Sequence, residues 1–372
     1  MSAQNSIIIY YPDSTGAVKE KVQFKLLSED TIKHGTYTFY YQTGELYQKG
    51  QYIDGKMEGL WEIKYPSGKL KANYEYKNDV RDGDFYIYYE NGDISLRGSY
   101  KQGLQEDTLW EFDKGEVLRR KAGVKDGDFH GAYKEYYSNG NIYINTTYEA
   151  GQVSGIWKKY YDSGTINYVG KKDGKKFTDS LAVYYENGKL ERRCFYEKGK
   201  LSGVYKAYYK SGKIMLETTY EDGEINGLYT SYHKNGEIAE QGNYVFGERE
   251  GEWEAFYPDG EQIFLKGKYR NGKYSGLWTG WHRTGTLRQT GKYKLGKATG
   301  EWEFYYENGN LKKTGTYFDD YEQGKWKVYD EENNLSAILN YNKGKYNGEC
   351  FIKSEKTGLM EKFIYKNGKK VK

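Results

Sequence analysis

A pattern of glycines and aromatic rings returns about every 24 residues along nearly all of a 372-residue chain. Such a period means one supersecondary unit built many times over, each copy stabilised by its neighbours. With Gly35 as position zero, an aromatic follows at +2 (Tyr37) and two more at +5 and +6 (Tyr40, Tyr41). Then come Gly at +9 (Gly44), Leu at +11 (Leu46), Gly at +15 (Gly50), Tyr at +17 (Tyr52) and Gly at +20 (Gly55). Units start at Gly35, Gly59, Gly83, Thr108, Gly131, Gly155, Asp179, Gly203, Gly227, Gly251, Gly276, Gly300, Gly324 and Gly348; of the thirteen intervals ten are 24, two 25 and one 23. A degenerate unit precedes them, with Ile7, Gly16, Val18 and Phe24 at offsets 0, +9, +11 and +17 and a connection four residues longer. The chain therefore divides into a degenerate N-terminal repeat or cap (1–34), a repeat array (35–347) and a C-terminal capping repeat (348–372). In that last repeat Cys350, Lys353 and Ser354 replace aromatics.

Each unit carries two turn signals and reads as a β-hairpin. One is at +8/+9 (Asn91-Gly92, Asn139-Gly140, Asn235-Gly236, Asn308-Gly309) and one at +19/+20 (Asp54-Gly55, Asp222-Gly223, Asn271-Gly272, Asn367-Gly368). Asn-Gly and Asp-Gly supply the two positive-φ residues of a two-residue type I′ turn. If both turns are of this kind, paired offsets sum to 17 across the first and 39 across the second. Then +6 faces +11, +2 faces +15 and 0 faces +17, so large rings lie opposite bare glycines. One face (A) collects Gly, Trp or Tyr at +2, an apolar +4, Tyr at +6, Leu at +11, Gly at +15 and Tyr at +17. The other (B) carries charges and hydroxyls at +3 and +12, plus an aromatic stripe at +5. Face A is the expected core. The expected fold is all-β: an elongated, coiled antiparallel sheet of about fourteen stacked hairpins.

Composition narrows the function. Tyr (44) and Gly (47) abound while Pro appears 3 times, and 18% aromatic content argues against disorder. A net charge of +4 from 57 basic and 53 acidic residues is too weak and mixed for a dedicated nucleic-acid binder. No apolar run approaches the length of a spanning helix. Cys194 and Cys350 are too far apart in sequence to form a framework or a metal pair. His233 and His282 share the +6 slot two units apart, as aromatic substitutes rather than ligands, and carboxylates such as Glu90, Glu186 and Glu307 are solvated turn charges. Gly247–Gly251 is turn punctuation, lacking the Gly-Lys-Ser/Thr of a phosphate loop. No catalytic, cofactor or metal site is expected, and no small-molecule substrate. As written the chain has no export signal and is expected to be cytoplasmic; Ser2-Ala3-Gln4 would also fit the end of a trimmed signal, which would make the protein periplasmic or exported.

The units Gly131-Ala-Tyr-Lys-Glu-Tyr-Tyr-Ser-Asn-Gly-Asn-Ile142 and Gly300-Glu-Trp-Glu-Phe-Tyr-Tyr-Glu-Asn-Gly-Asn-Leu311 resemble MORN-type repeats. More closely they resemble the variant found in bacterial antitoxin-like repeat proteins. The resemblance covers 35–372 and, weakly, 7–34. It implies a repeat scaffold without catalytic residues, with an antitoxin or immunity role as one instance; other MORN proteins are implicated in membrane-lipid contact and protein scaffolding.

The candidate functional feature is the +5 stripe on face B: Tyr136, Tyr160, Tyr184, Tyr208, Tyr232, Phe256, Trp281 and Tyr305, flanked by Lys134, Lys158 and Lys206. The same position holds Tyr40, Tyr88 and Tyr329. Two readings are open. The rings shield the backbone and stack on Lys stems, or they form an extended surface for a protein partner, since Tyr gives large contact area at low entropy cost. An exported envelope component, or a membrane-surface or glycan binder, is the alternative. Interleaved acids weaken the case for anionic lipid.

Overall fold

The computed structural model describes residues 5–13, 16–27, 30–260 and 262–371; Ser2-Ala3-Gln4 lies outside them. The chain forms two compact units, Met1–Gly188 and Lys189–Lys372. Each is all-β among its described residues and built of antiparallel hairpins paired in chain order.

The second turn has the expected form: Asp54 and Gly55 take φ 50° and 82°, and Asp222 and Gly223 take 50° and 92°. The first turn differs. In the hairpin of Asp128–Tyr136 and Ile142–Glu149, Tyr137 N–H donates to Asn141 C=O (2.8 Å) and Gly140 N–H to Tyr137 C=O (2.9 Å). Only Gly140 is left-handed (φ 85°). This is a three-residue loop, a type I turn closed by a left-handed glycine. Asn139 serves through its side chain, whose Oδ1 accepts the Asn141 N–H at 2.9 Å; Asn235 and Asn308 do the same.

The longer loop changes the register beside it. Gly131↔Tyr148, Tyr133↔Thr146 and Glu135↔Ile144 pair as expected, but Tyr136 pairs with Ile142. So +5, not +6, faces +11, which puts the aliphatic +11 residue on face B beside the stripe. The +12 residue moves toward face A: Tyr47 packs edge-on against Phe39 and Tyr41 (5.8 and 5.1 Å between centroids). The +6 ring lies at the loop edge.

Across the second turn the 39 sum holds only near the turn (Tyr52↔Met57, Gln51↔Glu58) and then slips by two, to Lys49↔Glu62. The slip sits at the unit-start glycine, Gly59, whose φ of 69° rather than any crowding demands glycine. Two extra residues preserve which side chains share a face.

Face A is the core: Trp61 and Trp326 are 1% exposed, Trp253 2% and Trp302 4%. Trp302 pairs with Gly315 across its own hairpin, yet its ring covers the glycine of the preceding repeat. A Cβ on Gly291 would lie 2.0 Å from Trp302, and the same holds for Gly242 under Trp253, Gly267 under Trp278 and Gly315 under Trp326. In three of them the indole N–H reaches the next carbonyl along that preceding strand, Trp278 to Lys268 C=O (3.0 Å), Trp253 to Asn243 C=O (3.2 Å) and Trp326 to Thr316 C=O (3.3 Å), while the Trp302 N–H is buried without a partner among the described residues. The ring-on-glycine contact therefore joins repeats rather than closing hairpins. The +17 tyrosines meet these indoles edge-on, Tyr293–Trp302 at 5.1 Å and 90°, the arrangement that ring quadrupoles favour.

Two unit starts shift. Asp107 (φ 69°) is the left-handed residue, 24 after Gly83 and 24 before Gly131. Arg97 pairs with Trp110 and Leu96 with Glu111, so Leu109 fills +2 and Trp110 lies at +3 on face B. The unit start is therefore Asp107, one residue before the expected Thr108. In the degenerate unit Asn5 pairs with Phe24 and Tyr10 with Val18, making Asn5 rather than Ile7 the zero position. Two residues are inserted in its first loop.

Candidate partner-binding face

The loop that closes each first turn also orders the +5 position. The Tyr137 hydroxyl donates to Tyr160 C=O (2.8 Å), Tyr161 to Tyr184 C=O (2.9 Å) and Tyr209 to Tyr232 C=O (2.6 Å). His233 Nε2 lies 3.2 Å from Phe256 C=O and His282 Nε2 3.0 Å from Tyr305 C=O. Both histidines are thus rungs of an inter-repeat tyrosine ladder, the aromatic-slot role expected of them. Among the described residues no group of three His, Cys, Asp or Glu is placed to hold a metal ion. Cys194, at +15, and Cys350, at +2, are buried free thiols in small or core slots; burial pushes the Cys194 thiol up.

The stripe residues are half-buried, most of them with these bonds to their carbonyls. Seven face an aliphatic across the ladder: Tyr136 and Ile142, Tyr160 and Ile166, Tyr208 and Ile214, Tyr232 and Ile238, Phe256 and Ile263, Trp281 and Leu287, and Tyr305 and Leu311. Tyr184 holds the same place in its repeat. The structure thus puts all eight on one kind of site, spaced ~10 Å apart along consecutive hairpins within each unit. It also adds one that the sequence register hid. Phe112 is at +5, its carbonyl bonded by the Tyr89 hydroxyl (2.9 Å), so within the first unit the stripe runs Tyr88, Phe112, Tyr136, Tyr160, Tyr184. Lys64 interrupts it earlier. The signal that could have found Phe112 is Asp107, an Asp able to stand in for a left-handed glycine at the 24-residue spacing.

Not all rings are equally free. Tyr305 Oη donates to Glu303 at 2.7 Å, and burial together with that carboxylate pushes its hydroxyl up to about 12. Burial also raises Tyr136. Trp281 borders a shallow depression of about 220 Å³ with Leu277, Thr279, Lys266 and Glu252. Of the flanking lysines, Lys206 is paired with Glu217 (2.7 Å), whereas Lys134 and Lys158 have no carboxylate partner among the described residues.

The model of the MORN repeat variant matches residues 33–54, 57–78, 81–102, 129–150, 183–198, 201–222, 225–245, 298–319 and 322–343, just over half of the chain. No curated protein matches. Among solved structures, the crystal structure of TcdB2-TccC3 is 11% identical, with 97% of this chain and 26% of that chain covered and a TM-score of 0.17. The Photorhabdus luminescens Tc holotoxin pore is 13% identical, with 97% and 25% covered and a TM-score of 0.17. The chain thus spans about a quarter of those chains, and likeness at that level carries no argument about its fold or role. The matched segments are the hairpins just described, and the chain belongs to the MORN repeat variant family.

Proposed function

We propose that this repeat scaffold is non-enzymatic and binds a protein partner through the +5 stripe of face B. One observation carries the reading. The core need is met on face A, where rings cover glycines, yet seven of the eight stripe residues present a half-buried ring beside an aliphatic on the opposite face. Amphipathic rings with their backbone already anchored lose little further entropy on docking. In support of a non-enzymatic role, His233 and His282 are engaged by backbone carbonyls and both thiols are buried.

The test is the double variant Tyr160→Ala, Tyr184→Ala in the full chain. Its melting temperature should stay near that of the parent while recovery of the co-purified partner falls. Unchanged recovery rejects the stripe. The antitoxin role implied by the resemblance is a narrower form of the same proposal. Relief of a neighbouring gene product's toxicity on co-expression supports it, and loss of that relief in the double variant ties it to face B.

A further inference from the structure

Beside the stripe runs a second row on face B, made by +3 and +14. In the first unit its cross-strand pairs are continuous: Tyr86↔Arg97, Arg97↔Trp110, Trp110↔Lys121, Lys121↔Lys134, Lys134↔Asn145 and Asn145↔Lys158. Four cations thus stand in one line across seven strands. Two of them, Lys121 and Lys134, are directly opposed, a pairing of like charges that costs stability. Among the described residues none of the four has a carboxylate partner, and Arg97 Nε is buried without a hydrogen-bond partner. Arg97 lies over Trp110 (4.7 Å) and Phe112 (5.7 Å), and Lys121 over Trp110 (5.6 Å). Acids come near only at one end, where Asp84 and Asp107 line a depression of about 200 Å³ with Tyr86, Arg97 and Trp110. In the second unit two cations of the same row have carboxylates within the row, Lys206–Glu217 (2.7 Å) and Lys266–Glu254 (2.8 Å), although Lys206 also stands opposite Arg193.

We propose that the Arg97–Lys158 row, flanked by Phe112, Tyr136 and Tyr160, docks an acidic, aromatic-bearing segment of a partner protein. The inference rests on the stripe as a protein-binding surface and assigns the partner's charge. A carboxylate-rich segment laid across the hairpins meets a cation at every strand or every second strand, ~5–10 Å apart. It also relieves the Lys121–Lys134 repulsion, which nothing on the protein itself offsets. Its aromatic side chains meet Phe112, Tyr136 and Tyr160 one row away.

The experiment measures fluorescence anisotropy of a labelled peptide of alternating Glu and Tyr against the full chain. Lys121→Glu places a carboxylate opposite Lys134, so it should raise the melting temperature while weakening the peptide by about tenfold or more, with the parent's affinity falling as salt rises. The opposite signs rule out misfolding as the cause. Lys134→Gln should weaken the peptide by a smaller factor, and Lys206→Gln, already paired in the parent, should leave it unchanged. Equal binding by parent and Lys121→Glu overturns the proposal. So does equal binding of a Lys-Tyr peptide, or tighter binding of a single-stranded oligonucleotide. A co-purified partner lost with Tyr160→Ala, Tyr184→Ala but indifferent to Lys121→Glu overturns the acidic assignment and leaves the stripe standing. A Glu-Tyr peptide weakened by Lys121→Glu but indifferent to the Tyr pair supports the row and removes the stripe.

Discussion

The two units solve the same packing problem differently. In Lys189–Lys372 four successive joints use one device, indole over glycine: Trp253 on Gly242, Trp278 on Gly267, Trp302 on Gly291 and Trp326 on Gly315. In Met1–Gly188 the same joint holds Tyr37 against Val22, Trp61 on Gly50, Leu109 beside Gly98, Tyr133 against Ala122, Trp157 against Thr146 and Leu181 on Gly170. Face B differs in parallel. In the second unit Lys206 and Lys266 of the row are paired with Glu217 and Glu254, while the first leaves Arg97, Lys121, Lys134 and Lys158 without carboxylates among the described residues. The comparison teaches that the joint accepts residues from glycine to valine beneath a ring or a leucine, and that indole on glycine is its tightest form. Four repeated joints accompany a row that holds carboxylates of its own, and varied joints accompany a row with charge to spare.

The largest expected effect falls on the uniform joint. Trp302→Ala opens a cavity over Gly291 and should cost about 3–5 kcal/mol, read by denaturant melts. Leu109→Ala, at a half-buried joint of the first unit, should cost less. Equal losses would erase the distinction between the joints. A melting shift near zero for Trp302→Ala would mean that face A is not the core.

Next is the glycine itself. A methyl on Gly291 would sit 2.0 Å from a buried indole, whereas on Gly170 the nearest atom is Leu181 Cδ1 at 2.8 Å. Gly291→Ala should therefore cost about 1–3 kcal/mol, and Gly170→Ala less, because a leucine shifts more readily than a tryptophan. The ladder comes third. Tyr161→Phe removes the bond to Tyr184 C=O (2.9 Å) and should cost about 0.5–1.5 kcal/mol, and Tyr209→Phe a similar amount. Similar losses would show that the ladder is common to both units. The smallest effect has the opposite sign: Lys121→Thr removes a like-charge pair and should raise stability by a few tenths of a kcal/mol, within the range of cross-strand pairs. Lys206→Thr also removes a like-charge neighbour, Arg193, but breaks the ion pair with Glu217, so it should raise stability less.

The period, the hairpins, the face of the core and the +5 stripe were legible because each follows from spacing alone. The turn type was not. Asn139-Gly140 satisfies a two-residue turn and a three-residue loop equally well, and only the negative φ of Asn139 separates them. That one residue moved +11 to the stripe side. The partner of each ring was hidden for a similar reason: +15 lies opposite +2 within a hairpin and beside +2 of the next repeat, and sequence offsets do not distinguish the two. Trp110 sits one residue from the slot that the +2 pattern of Trp or Tyr assigns to it. The backbone instead keeps its period at Asp107 and gives the slot to Leu109. With that register went Phe112 and the continuity of the cationic row.

The central claim is that each core ring rests on the bare backbone of the repeat before it, which leaves face B free. Proton chemical shifts of the glycine Hα atoms measure this directly. Gly242, Gly267, Gly291 and Gly315 should be shifted strongly upfield by the overlying indoles, while Gly44 and Gly68, with nothing above them, keep ordinary values. Ordinary shifts at all six would contradict the account.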